Sequence, residues 1–109
     1  MTKKQIKEMY RKALNLSILH WWMMSEGYQD SKETGIDSCA LCRVGIELEK
    51  KRAAIFRCEH CPIYKKTGIK NCEHTPYVEA RRHNGTELSI FQLYARKELK
   101  FLKTLRGTI

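Results

Sequence analysis

No stretch of this chain is both long and apolar. The most hydrophobic run, Ile18 to Met24, is interrupted by His20 and is far too short to cross a bilayer, which excludes a membrane-spanning segment there. The opening residues, MTKKQIKEMYRKAL, break each apolar step with a charge. They hold neither a secretory hydrophobic stretch nor a small-residue cleavage site, so the expected location is the cytoplasm. Internal repeats and low-complexity segments are missing as well. Acidic residues are scarce relative to basic ones: twelve Asp and Glu against twenty-one Lys and Arg, a formal charge of +9 on 109 residues. A field of that sign attracts polyanions. Nucleic acid is the leading expected partner, an acidic protein surface the alternative, and no membrane partner is expected.

At 109 residues, with 42% hydrophobic and 30% charged residues, the chain suits one globular domain with a modest core. Such a core is often supplemented by a metal or by disulfides, which brings the five cysteines forward. Residues 3–26 lack Pro and Gly and place Ile6, Met9, Tyr10, Ala13 and Leu16 at helical spacing, predicting the first helix. From Ile18 onward apolar residues surround the axis, so that half is expected to be covered on several sides, and Gly27 is the expected stop. Residues 86–106 predict a last helix, capped by Thr86 and ended by Gly107, with Leu88, Phe91, Ala95, Leu99 and Leu102 on one side. Arg96, Lys100 and Lys103 form a basic stripe on another.

Residues 38–76 hold all the cysteines and both prolines. Cys39 and Cys42 make one C-x2-C pair, Cys58 and Cys61 a second, fifteen residues on. That spacing is a zinc pattern: a tight turn lets both thiolates of a pair reach one ion, and two pairs complete a tetrahedron. Four protein ligands leave no position for water, so the expected Zn²⁺ is structural and the chain is not expected to be an enzyme. Cys72 and His74 stand in C-x-H order and are alternative ligands: the alternative sets are Cys58, Cys61 and Cys72 with one of Cys39, Cys42 or His74. His60 is expected to meet solvent or backbone. An iron-sulfur cluster also takes four thiolates and Pro62 follows Cys61, but the C-x2-C-x2-C run of ferredoxins is missing. No βαβ setting supports a redox pair, and no histidine lies between the pairs to suit an HNH-type nuclease. Between the pairs, Val44, Ile46 and Leu48 alternate as in a short β-hairpin with Ile55 and Phe56. Leu41, Val44 and Leu48 equally fit a helix begun after Asp37 and Ser38, and both readings stand.

The segments SCALC (38–42) and CEHCPIYKKTGIKNCEHTPY (58–77) resemble a pattern in small cysteine-rich proteins of phages and bacteria. The resemblance spans about forty residues and carries no established activity. It implies that Cys72 and the segment Thr75, Pro76, Tyr77 belong to the same module as the CxxC pairs.

Basic clusters flank that module. Lys50, Lys51 and Arg52 lie between the pairs, Lys65 and Lys66 follow Cys61, and Arg81 and Arg82 precede the last helix. Each cluster alone reads as a solvated face; together, beside a stiff metal module, they are candidates for phosphate contacts. Tyr64 and Tyr77 are candidates for base stacking or for packing of the module. Trp21, Trp22, Met23 and Met24 are expected in the core, or, where the last helix leaves them uncovered, at a partner or homodimer interface. The expected architecture is a mainly α-helical domain whose first and last helices pack together, with the zinc module closing one end.

Overall fold

The computed structural model describes residues 1–26, 40–68, 80, 82 and 88–108. Among the described residues, helices α1 (Lys3–Ser25), α2 (Ala40–Lys50), α3 (Pro62–Thr67) and α4 (Leu88–Thr104) follow one another. A 3-10 turn, Arg106–Thr108, follows α4. Among the described residues there is no strand. The molecule is mainly helical, as expected.

Helix α1 starts on a capping box. Thr2 Oγ1 accepts from Gln5 N–H at 3.1 Å and Thr2 N–H donates to Gln5 Oε1 at 2.8 Å, so two backbone donors that no helical turn serves are satisfied. At the other end the Glu26 N–H donates to the Trp22 carbonyl, 3.1 Å away. The expected stop at Gly27 and cap at Thr86 lie outside the described residues.

The buried face of α1 runs through Tyr10, Ala13, Leu14, Ile18, Trp21 and Met24. It packs chiefly against α4 and then against α2. Helix α4 answers with Phe91, Ala95, Leu99 and Leu102, the stripe expected from the spacing. Burying side chains of this size contributes roughly 1.5–3 kcal/mol each, so this pair of helices holds most of the core.

Three expectations are corrected here. Leu16 was placed with the inner residues of α1, but it is 58% exposed, because the 3.6-residue period centred on Leu14, Ile18 and Trp21 puts it on the opposite side. Covering on several sides beyond Ile18 is also not found: Leu19 and Trp22 face outward on the same side as Leu16. The hairpin reading of residues 44–56 fails, since Val44 to Leu48 lie inside α2, whose Ala40, Leu41, Gly45 and Leu48 are buried at helical spacing.

Candidate functional site

Helices α2 and α3 position Cys42 and Cys61. Cys42 lies in the first turn of α2, and Cys61 is the residue immediately before α3, with Pro62 at its first position. Proline suits that place because its missing N–H would be unsatisfied there anyway. Between them, α2 ends in a turn where the Ala53 N–H donates to the Leu48 carbonyl at 2.8 Å and Arg52 adopts the left-handed conformation, φ 58°. Glycine normally takes this position; an arginine here is strained.

The second motif is a compact knuckle. The Cys61 N–H donates to the Cys58 carbonyl and the Glu59 N–H to the Phe56 carbonyl, both at 3.1 Å. His60 Nε2 lies 3.2 Å from the Ala53 carbonyl, donating to it as the Nε2–H tautomer, and 3.1 Å from Glu59 Oε2. Its bond to backbone agrees with the reading of His60 as a non-ligand. Phe56 stands edge-on to Tyr64, ring centroids 5.4 Å apart, so Tyr64 helps to pack the knuckle.

Gly45 brings α2 against the backbone that precedes Cys58. It is buried within α2, one turn after Cys42, and a Cβ built on it would overlap the carbonyl oxygen of Arg57, the residue before Cys58. Only a glycine lets the helix carrying one motif touch the backbone carrying the other.

Cys42, Cys58 and Cys61 form no disulfide, and Cys61 is buried in the core beside Tyr10. The Tyr10 hydroxyl is buried with no hydrogen-bond partner. Burial raises its pKa well above the ordinary phenol value, and charge on Cys61, Cys58, Cys42 and Glu59 raises it further. Among the described residues, no three His, Cys, Asp or Glu side chains are close enough together to hold a metal ion. Cys39, Cys72 and His74 lie outside the described residues. Cys42, Cys58 and Cys61 are thiols of the kind that bind zinc, but among the described residues they do not form a metal site.

The expected basic residues stay on the surface. Lys50, Lys51, Arg52, Lys65, Lys66 and Arg82 are exposed, and Lys51 pairs with Glu47 at 3.3 Å. Arg81 and Tyr77 lie outside the described residues. Trp21 and Met24 are core residues, Met23 is half-buried, and Trp22 is 43% exposed. A cleft of about 160 Å³ opens beside the knuckle, with Ile6, Lys7 and Tyr10 of α1 forming one wall and His60, Pro62, Lys65 and Lys66 the other.

Sequence reasoning missed Gly45, Tyr10 and Lys7 as parts of this site. An isolated glycine inside a helical apolar stripe was the available signal for Gly45. A hydroxyl on the otherwise apolar inner face of α1 was the signal for Tyr10. Nothing in the sequence distinguishes Lys7 from its neighbouring lysines. No protein-family model, curated protein or solved structure matches this chain.

Proposed function

We propose that this chain is a zinc-stabilised basic binding protein, without catalytic activity of its own, whose partner is nucleic acid. One observation carries the reading. The contact of Gly45 with Arg57 brings α2, which carries Cys42, against the backbone next to Cys58, while the lysines and arginine around them remain exposed. Cys39, Cys42, Cys58 and Cys61 would hold one Zn²⁺, with Cys72 or His74 as substitutes for a ligand of the first pair. The ion would add folding free energy to a small core, and it would stiffen the surface that carries Lys50, Arg52, Lys65 and Lys66.

Two measurements test this. Native mass spectrometry with metal analysis should find one zinc per chain, and a colourless product excludes an iron-sulfur cluster. Affinity for nucleic acid should fall steeply with salt, as counterion release requires, and charge reversal at Lys50, Lys51 and Arg52 should weaken it. Binding that is flat across salt removes nucleic acid as the partner.

A second reading has its own observation. Leu16, Leu19 and Trp22 are exposed on one side of α1, opposite its core face, which suits a protein partner or a second copy of the chain. That reading requires alanine at Leu19 and Trp22 to abolish capture of the partner while leaving the fold intact.

A further inference from the structure

We propose that the cleft between α1 and α3 is a phosphodiester subsite for single-stranded nucleic acid, with Lys7, Lys65 and Lys66 around the phosphate. The inference rests on the nucleic-acid reading above, and it adds to it a helix that the basic clusters of the sequence did not implicate.

The geometry is specific. Lys7 comes from α1, whereas Lys65 and Lys66 come from α3, so lysine side chains from two separate elements border one concavity. Among the described residues no carboxylate lines it. Like charges gathered around a cleft repel one another unless an anion enters, and a phosphodiester supplies the missing charge and acceptor oxygens. The remaining lining is Ile6, Pro62 and Tyr10, which are largely apolar, and the ring of His60, whose Nε2 lies 3.1 Å from Glu59 Oε2. A duplex presents its phosphates on outer ridges with sugars and bases turned away. An unpaired strand can instead lay a phosphate among the lysines and an adjoining sugar or base edge on the apolar wall. The volume, about 160 Å³, suits a phosphate with part of one nucleoside and not a whole free nucleotide.

Lys12 provides an internal control. It lies on the same helix and is exposed, but it lines a different groove on the other side of α1. The experiment uses the purified zinc-loaded chain and a fluorescein-labelled oligothymidylate, read by fluorescence anisotropy across a salt series. Lys7→Glu should weaken binding on the order of ten-fold and lower the salt slope by about one, while Lys12→Glu should leave both nearly unchanged. Circular dichroism and thermal melting confirm that both variants fold. A double-mutant cycle between Lys7→Ala and Lys65→Ala should show coupling, because both side chains serve one phosphate. The same cycle between Lys7 and Lys50 should be additive.

Equal effects of Lys7→Glu and Lys12→Glu, or additivity in the first cycle, would overturn the cleft and leave general nucleic-acid binding standing. Tighter binding of a duplex of the same length, with the same dependence on Lys7, would overturn the single-strand assignment. If the wild-type chain binds no nucleic acid at low salt, the broader proposal falls and the subsite with it.

Discussion

Gly45 on α2 sits so close to the Arg57 backbone that a single added methyl would overlap the Arg57 carbonyl oxygen and approach its carbonyl carbon and Cγ to 3.0 Å. The obstacle is mostly backbone, which cannot rotate aside. Gly45→Ala therefore forces α2 and the knuckle apart. Alanine improves helix propensity by about 1 kcal/mol, but overpacking against a fixed neighbour costs roughly 1–3 kcal/mol or more, so the net change is destabilising. Thermal denaturation should show a Tm several degrees lower, with weaker zinc retention in the same variant. A Tm equal to or above the parent's would mean that the contact is not part of the native packing.

Arg52 offers the opposite test. An L-residue in the left-handed region at a helix end costs roughly 1–2 kcal/mol relative to glycine, and strain of this kind is retained where the side chain has a use. Arg52→Gly should raise the Tm by a few degrees while lowering affinity for nucleic acid. If stability rises and affinity is unchanged, Arg52 has no part in binding.

The outer helices were legible in the sequence because their buried residues recur at the helical period: Phe91, Ala95, Leu99 and Leu102 on α4, and Tyr10, Ala13 and Trp21 on α1. Leu16 was misplaced because hydrophobicity alone does not say which side of α1 meets α4. The fate of residues 44–48 was not decidable locally, since Val44, Ile46 and Leu48 satisfy a period of two while Leu41, Val44 and Leu48 satisfy the helical one. The contact that goes with the helix, Gly45 on Arg57, joins residues twelve positions apart and exists only once the chain has folded back. The basic clusters were readable as charge, but the meeting of Lys7 with Lys65 and Lys66 depends on how α1 passes the knuckle.

Tyr10 predicts a specific alkaline weakness. Its pKa is raised from the ordinary 10.0, first by burial and then by charge on Cys61, Cys58, Cys42 and Glu59, so the folded chain keeps the phenolic proton after the unfolded chain has released it. The contribution to stability is complete below about pH 10 and is lost as pH climbs from there toward the folded-state value. Denaturant melts between about pH 8 and pH 11 should lose stability more steeply for the parent than for Tyr10→Phe, which has no proton to lose. Parallel curves for the two proteins would show that the phenol titrates alike in both states.

Metal removal separates the ligand sets. A thiolate site formed by both CxxC pairs would link α2 to α3, so stripping it should loosen the same contact that Gly45 makes. A strong chelator should lower the Tm of the parent markedly, since structural zinc contributes its binding free energy to folding. Cys58→Ser should abolish stoichiometric metal and melt like the chelated parent. Cys39→Ser and Cys72→Ser discriminate further: with four thiolates from the two pairs, the first loses the ion and the second keeps it. The reverse pattern would move the fourth ligand to the residues after α3. Tyr10→Phe adds a probe of the surroundings, because a buried hydroxyl near bound thiolates can donate to one of them, and loss of such outer donors typically weakens metal affinity about 10–100-fold. Cobalt titration of each variant, read by the thiolate charge-transfer band, measures all of these at once. A parent chain that takes up no cobalt and melts identically with and without chelator would eliminate the metal from the fold.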